Sequence, residues 1–213
     1  MRYAAILLLP LSAISTLTYF GFISRAGNVE IDSIAVLPFE NVGGDPDLSY
    51  VSDGLSESVI DQLSKLPQLK VISRNSSFKF RGPGLDLRSV ALQLGVRSVL
   101  TGSVIRVGDE LVIRYDLVDA SNDRQITGGQ YRQRSNDISR IPSRIAQQTS
   151  DNLGIKPTAE QSGRLSEGGT DNSEAFRYYL SGLVELNTGP PDMQAKALEY
   201  FEQAVNLDPG FAA

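Results

Sequence analysis

Residues 94–118 read LGVRSVLTGSVIRVGDELVIRYDLV, and this stretch decides the fold. Two β-type runs, 96–107 and 110–118, flank the dipeptide Gly108-Asp109. In the second run every other residue is apolar, the set being Leu111, Ile113, Tyr115 and Leu117. Because a Gly-Asp pair between two such runs is a turn signal, the stretch predicts an antiparallel β-hairpin.

Upstream of the hairpin, the pattern indicates a βαβ unit. Residues 34–37 form a short apolar run ended by Pro38, which is typical of a buried strand. A stripe of apolar residues between positions 51 and 66 predicts an amphipathic helix that ends before Pro67. Residues 69–72 then predict a second strand.

Further helices and a weaker strand complete the pattern. Asp86 is a suitable N-cap for a helix, and Gly95 stands where its left-handed C-terminal residue belongs. After the hairpin, residues 125–134 predict a weaker strand, and a closing helix is expected to start near Pro142 and stop at Gly154. The predicted order is β-α-β-α-β-β-β-α, a domain of α/β (α+β) class over residues 31–154.

An uncharged apolar run of 20 residues, 4–23, stands at the N-terminal end. As a helix it would be about 30 Å long, the thickness of the hydrocarbon core, so residues 1–26 are expected to anchor the chain in a membrane. The alternative is a cleaved signal peptide, since Ser24-Arg25-Ala26 resembles a cleavage site. The amino group and Arg2 precede the run, whereas Arg25 after it is soon followed by Glu30 and Asp32, so the positive-inside tendency favours an extracytoplasmic body.

The composition narrows the possible functions. Cysteine and histidine are both absent, which removes the usual zinc sites, thiol catalysis, haem ligation and histidine-based triads. Lys and Arg number 20 against 25 Asp and Glu, and the formal net charge of −5 argues against a nucleic-acid partner. We therefore expect a non-enzymatic protein without a cofactor or metal.

Two sets of polar residues are candidates for ligand binding. Arg74, Asn75, Ser76 and Ser77 follow the second predicted strand, where open α/β sheets place their ligand crevices. Asp53, inside the first helix, is a candidate carboxylate. The alternatives are a satisfied polar loop for the first set, and for Asp53 a favourable position near the positive end of the helix.

The C-terminal part predicts a flexible linker and a helical hairpin. Residues 155–172 are rich in Gly, Ser, Thr and Glu, which is typical of a linker. Residues 173–213 resemble a single tetratricopeptide repeat, with signature positions Gly182, Ala197, Phe201, Ala204 and Pro209. One repeat cannot bury its apolar face, so either the chain is a fragment of a longer array or a protein partner covers that face.

Eight motifs in a particular order give residues 32–153 a family resemblance. They include IAVLPF at 34–39, GDP at 44–46, DGL at 53–55, SRNSSF at 73–78 and LTGSV at 100–104. The domain resembles the TolB amino-terminal-like family, which is found beyond the membrane helix in bacterial one-component regulators and cyclase-linked receptors. The resemblance implies a fold similar to the anticodon-binding domain of some tRNA synthetases. Relatives often carry a tryptophan where this chain has Thr127.

These observations lead to one functional expectation and one alternative. The first is a membrane-anchored bacterial interaction or sensory module of the cytoplasmic membrane, with its main body in the periplasm. There the α/β domain would bind a protein or small ligand, and the repeat would make protein contacts in signalling or transcriptional regulation. The alternative is a secreted periplasmic envelope-assembly factor. The ligand, the partner and the oligomeric state are not specified by the sequence.

Overall fold

A six-stranded mixed sheet organises the computed structural model, which describes residues 31–134, 137–167, 170–188 and 194–211. The strands run in the order β3-β1-β4-β5-β6, and β2 also pairs with β4. Their bounds are β1 Ser33–Val36, β2 Glu40–Asn41, β3 Lys70–Val71, β4 Ser98–Val107, β5 Glu110–Asp119 and β6 Arg124–Arg134. The predicted membrane segment, 1–26, lies outside the described residues.

The predicted hairpin is confirmed. Strands β4 and β5 pair antiparallel along their whole length, from Val107 opposite Glu110 to Ser98 opposite Asp119. The turn between them places Gly108 at φ +62°, a conformation that glycine adopts without strain. Strand β6 continues the antiparallel part of the sheet, with a register shift beside Leu117 and Val118.

Seven helices are described, with their bounds as follows: α1 Pro46–Ser64, α2 Arg74–Ser77, α3 Leu87–Leu94, α4 Ile141–Asn152, α5 Ala159–Glu167, α6 Ser173–Thr188 and α7 Gln194–Leu207. The predicted caps of α3 are present, since Asp86 Oδ1 accepts from the Arg88 N–H at 3.1 Å and Gly95 has φ +63°. The element order agrees with the predicted α/β pattern, to which β2 and α2 are additions.

Parallel pairing surrounds β1, which pairs with β3 on one side and β4 on the other. Helix α1 connects β1 to β3, whereas α3 leads from β3 back across to β4. The chain leaves β1 at Leu37 and rejoins the edge of β4 as β2. At this interruption the Phe39 N–H donates to Ser56 Oγ of α1 at 2.8 Å, so this buried amide has a hydrogen-bond partner.

Two hydrophobic clusters cover the sheet. One joins Val36 and Leu100 to α1, α4 and the first part of α6. The other joins Leu37 and Val99 to α3 through Val90 and Ala91. Because neighbouring residues of a strand point to opposite faces, the two clusters lie on opposite faces of the sheet.

The predicted flexible linker is wrong for residues 159–167, which form α5. Its Leu165 is 1% exposed and belongs to the same cluster as Ile145 of α4. Gly- and Ser-rich composition suggested flexibility, but one well-placed leucine anchors the segment to the core. The described residues from Ile31 onward accordingly form one compact unit.

The C-terminal hairpin packs against α1. Leu180 of α6 is fully buried, and a Cβ added to Gly54 of α1 would lie 2.5 Å from its Cδ2 atom. Within the hairpin, Ala197 and Ala204 are buried and Gly182 faces the Phe201 ring, whereas Pro209 is exposed beyond the end of α7. Of the helices that the structure describes, none combines the length and hydropathy needed to cross a bilayer.

Gly182→Ala is expected to destabilise the chain by about 1–3 kcal/mol, because the new Cβ would lie 2.5 Å from Cε1 of Phe201. Gly163→Ala on α5 is the matched control, since a Cβ there meets no atom within 4 Å. Urea denaturation followed by circular dichroism measures both. Equal stability of the two variants would contradict the close packing of α6 on α7.

Candidate functional site

A cleft of about 610 Å³ lies beyond the carboxyl end of β1. Its walls are the chain between β1 and β2, the first half of α1, the segment 80–87, and the middle of β4 and β5. Open α/β sheets place ligands beyond the carboxyl ends of the strands, at the point where the direction of the crossovers reverses. Here the first crossover runs from β1 to β3, and the next runs from β3 back past β1 to β4. The cleft therefore occupies the position at which this topology forms a binding site.

Apolar and charged side chains share the cleft wall. The apolar part includes Leu37, Phe39, Phe80, Leu85 and Leu87, and the charged part is Glu40, Asp53, Arg81, Arg114 and Asp116. On the sheet, Arg114 Nε donates to Gln130 Oε1 at 2.9 Å, and Asp116 Oδ1 accepts from Gln125 Nε2 at 2.6 Å. An apolar surface with a few oriented charges of both signs is suited to binding a small ligand or a short peptide.

Asp53, a predicted candidate, lies in this cleft and forms a two-armed ion pair with Arg81. The two N–O distances are 2.9 and 3.0 Å. The Arg81 side chain is 52% exposed and that of Asp53 is 19% exposed, so water screens the pair at the cleft margin. Arg81 was not among the residues predicted from the sequence, because nothing local links it to a carboxylate 28 positions away.

The predicted set 74–77 is not part of this cleft within the described structure. Arg74 lies 2.9 Å from Glu57 Oε2 of α1, with its guanidinium 4.2 Å from the centre of the Phe78 ring. Asn75 is exposed and Ser76 Oγ lies 3.4 Å from Ser73 Oγ. Ser77 is fully buried, and its hydroxyl has no hydrogen-bond partner among the described residues. The set forms the short helix α2, and its role in ligand binding stays a prediction.

A second polar cluster lies between α1 and the helical hairpin. Asn187 Nδ2 donates to both oxygens of Glu57, at 3.3 and 3.1 Å, and the Tyr179 hydroxyl donates to Asp61 Oδ2 at 3.1 Å. Burial raises the pKa of the Tyr179 hydroxyl, which keeps it a donor. These contacts tie the hairpin to the same helix that carries Asp53.

Burial also raises the pKa of Glu57, although Arg74 opposes the shift. Its side chain is 15% exposed. Since the carboxyl group binds a proton more tightly in the folded chain than in the unfolded one, its contribution to stability falls as pH rises through the raised pKa. The cluster is therefore pH-sensitive above the ordinary Glu value of 4.5.

The described ranges contain no group of three or more carboxylates that could hold a metal ion. The chemistry of the two sites consists of ion pairs and hydrogen bonds on apolar walls.

Family comparison identifies the α/β part. Residues 30–148 match the family described as HilA/YgeH-like transcriptional regulator, second domain, and because the match covers more than half of the chain, the chain belongs to this family. Over 184 residues it is 34% identical to "Putative adenylate cyclase 3" of Rhizobium meliloti (strain 1021). That alignment covers 85% of this chain and 31% of the relative, so the chain spans about a third of that protein.

Several solved structures are similar at a lower level. TolB from Acinetobacter baumannii has a TM-score of 0.46 and 18% identity over 60% of this chain and 29% of its own. Lipoprotein GNA1162 from Neisseria meningitidis has a TM-score of 0.42 and 19% identity, covering 60% of this chain and 99% of its own. The LpoB C-terminal domain from Salmonella enterica has a TM-score of 0.39 and 12% identity, covering 54% of this chain and 91% of its own. At TM-scores below 0.5 these similarities support no argument about function.

A double-mutant cycle with Asp53→Asn and Arg81→Gln is expected to give a coupling energy below about 1 kcal/mol, because the pair is exposed on one side. Such a pair can open when a ligand enters the cleft. Chemical denaturation of the four proteins measures the coupling. A coupling energy of about 3 kcal/mol or more, as for a buried pair, would instead indicate that the Asp53–Arg81 pair stabilises the fold.

Glu57→Gln is expected to gain stability relative to the unmodified chain as the pH is raised from 4.5, because glutamine has no charge to bury. The difference in free energy of unfolding between the two proteins, measured by denaturation at several pH values from 4.5 to 8, tests this. Glu160→Gln, on an exposed and 75% accessible side chain, is the matched control. A difference that stays constant across the range would contradict the assignment.

Proposed function

We propose that the chain is a non-enzymatic interaction or sensory module of a membrane-anchored regulatory protein. Its α/β part would bind a protein or small ligand in the cleft, and its helical hairpin would contact a further protein. One observation carries the proposal: this region belongs to a family of second domains of transcriptional regulators and also matches part of a protein named as a putative adenylate cyclase. A region common to both kinds of protein would supply a shared interaction or sensory role, rather than transcriptional regulation or cyclase activity itself.

The position of the cleft supports ligand binding by the α/β part. It lies beyond the carboxyl end of β1, where the direction of the crossovers reverses, and its Asp53–Arg81 pair is exposed enough to exchange for groups of a ligand. Arg114 and Asp116 add one charge of each sign on the sheet. A ligand with polar ends and an apolar body would match both kinds of wall.

The hairpin supports a role in protein contacts. The tetratricopeptide assignment is part of this proposal, and it rests on Gly182 beneath Phe201 and on the buried Ala197 and Ala204. Leu186, Leu198 and Val205 remain substantially exposed on the outer surface of the two helices. An apolar helix surface of this kind is suited to packing against another helix.

The membrane location is also proposed, with residues 4–23 as the anchor in the cytoplasmic membrane and the body in the periplasm. The apolar run and the charges around it support this arrangement. The second candidate, a secreted envelope-assembly factor, is favoured by the sequence Ser24-Arg25-Ala26, which resembles a cleavage site. The mass of the mature protein distinguishes the two.

The full chain in neutral detergent is expected to form no cyclic AMP from Mg-ATP and to leave duplex DNA unshifted at physiological salt. The first result follows because the chain matches only 31% of the cyclase-named relative, the second because its net charge is −5. Product formation above a heat-denatured control, or a salt-sensitive DNA shift, would overturn the proposal.

The absence of cysteine allows a direct test of location. In Asp109→Cys the thiol stands in the exposed β4–β5 turn, and intact cells are treated with a small maleimide that crosses the outer membrane but not the inner one. Labelling before lysis is the expected result. Labelling only after lysis would place the body in the cytoplasm.

A further inference from the structure

We infer that β6 is a binding edge for an extended acidic segment of a partner protein, which would join the sheet as an additional strand. The proposed function leaves the interaction surface open, and this inference goes beyond it. Within the part of the chain that the structure describes, β6 ends the sheet and pairs with β5 alone. It is 11 residues long, and none of its residues is buried.

The register of the sheet shows which backbone groups of β6 face outward. Val107 and Glu110 close a two-residue turn, so they form a hydrogen-bonded pair, and such pairs alternate along an antiparallel ladder. The backbone groups of Glu110 and of every second residue after it in β5 therefore face β4, and those of the residues between them face β6. Ile113 is one of the latter and lies opposite Tyr131, so the N–H and C=O groups of Gln130 and Arg132, on either side of Tyr131, point away from β5. A long edge with outward donors and acceptors is a template for another strand.

Charge indicates what kind of strand fits. Strand β6 has the sequence RQITGGQYRQR, with three arginines and no acidic residue, in a chain whose net charge is −5. Arg132 and Arg134 are two positions apart and therefore on one face of the sheet. Arg132 lies 3.2 Å from Glu110, but the two side chains are 54% and 42% exposed, so a partner carboxylate can compete.

The same charges disfavour a second copy of β6 as the occupant. Antiparallel pairing of two copies centred on Gly129 would set Arg124 opposite Arg134, and in-register parallel pairing would set each arginine opposite itself. Like charges directly opposite each other destabilise a strand pair. A segment with acidic residues at alternate positions would instead place a carboxylate beside both Arg132 and Arg134.

The test uses the full chain in maltoside micelles and a fluorescent ten-residue peptide of alternating valine and polar residues, with two glutamates on one face. The peptide is expected to bind about tenfold more tightly than its counterpart with lysines in place of the glutamates. R132E/R134E is expected to weaken binding of the glutamate peptide by about tenfold or more, as measured by fluorescence anisotropy. K79E/R177E, two exposed positions elsewhere, changes the net charge equally and is expected to have an effect of less than about twofold.

A second variant separates backbone pairing from charge. Gln130→Pro keeps the arginines and removes one outward N–H, so it is expected to lose binding as well. Circular dichroism melting of each variant shows that it is folded; if Gln130→Pro fails to fold, a peptide N-methylated at alternate residues replaces it and is expected not to bind. Three outcomes would overturn the inference. The lysine peptide could bind as tightly as the glutamate peptide, or K79E/R177E could weaken binding as much as R132E/R134E does. Binding could also be undiminished when the backbone contact is blocked. A dimer in sedimentation that R132E/R134E leaves intact and that excludes the peptide would overturn it as well.

Discussion

The structure depends on β4, where the parallel and antiparallel parts of the sheet meet. Its first residues pair with β1, its middle with β2 and its whole length with β5. Val99 and Leu100 point to opposite faces of the sheet and belong to the two separate hydrophobic clusters. A one-residue shift in the register of β4 would therefore move the side chains of each cluster to the opposite face. Gly102 is the point where Phe39 crosses close to the strand, since an added Cβ would lie 2.7 Å from its ring. The register of β4 thus positions the cleft.

Helix α1 connects the cleft to the helical hairpin through one stripe of carboxylates. Asp53, Glu57 and Asp61 are spaced four residues apart and therefore share a face of the helix. They contact, in order, a cleft arginine, Arg74 and the Tyr179 hydroxyl. Both arginines lie over the Phe78 ring, at 4.2 and 5.6 Å. The cleft margin and the hairpin are therefore linked by two ion pairs that share the Phe78 ring.

The proposed surfaces are chemically distinct. The cleft combines apolar walls with both charge signs, the hairpin exposes apolar helix positions, and β6 presents a basic edge. Strand β6 is a basic segment, with three arginines and no acidic residue, in a chain whose net charge is −5.

Elements with local signals could be predicted from the amino-acid sequence alone. Alternation and Gly108-Asp109 predicted the β4–β5 hairpin, and Asp86 with Gly95 predicted the limits of α3, because turns and caps are set by residues a few positions apart. Tertiary structure decided the rest. Strand order placed the cleft beyond the end of β1, and not beyond that of β3, and it brought Arg81 to Asp53 across 28 positions. It also gave Leu165 a buried place that its Gly- and Ser-rich surroundings did not indicate. Pairing between residues distant in sequence depends on how the elements pack, and no local pattern specifies that packing.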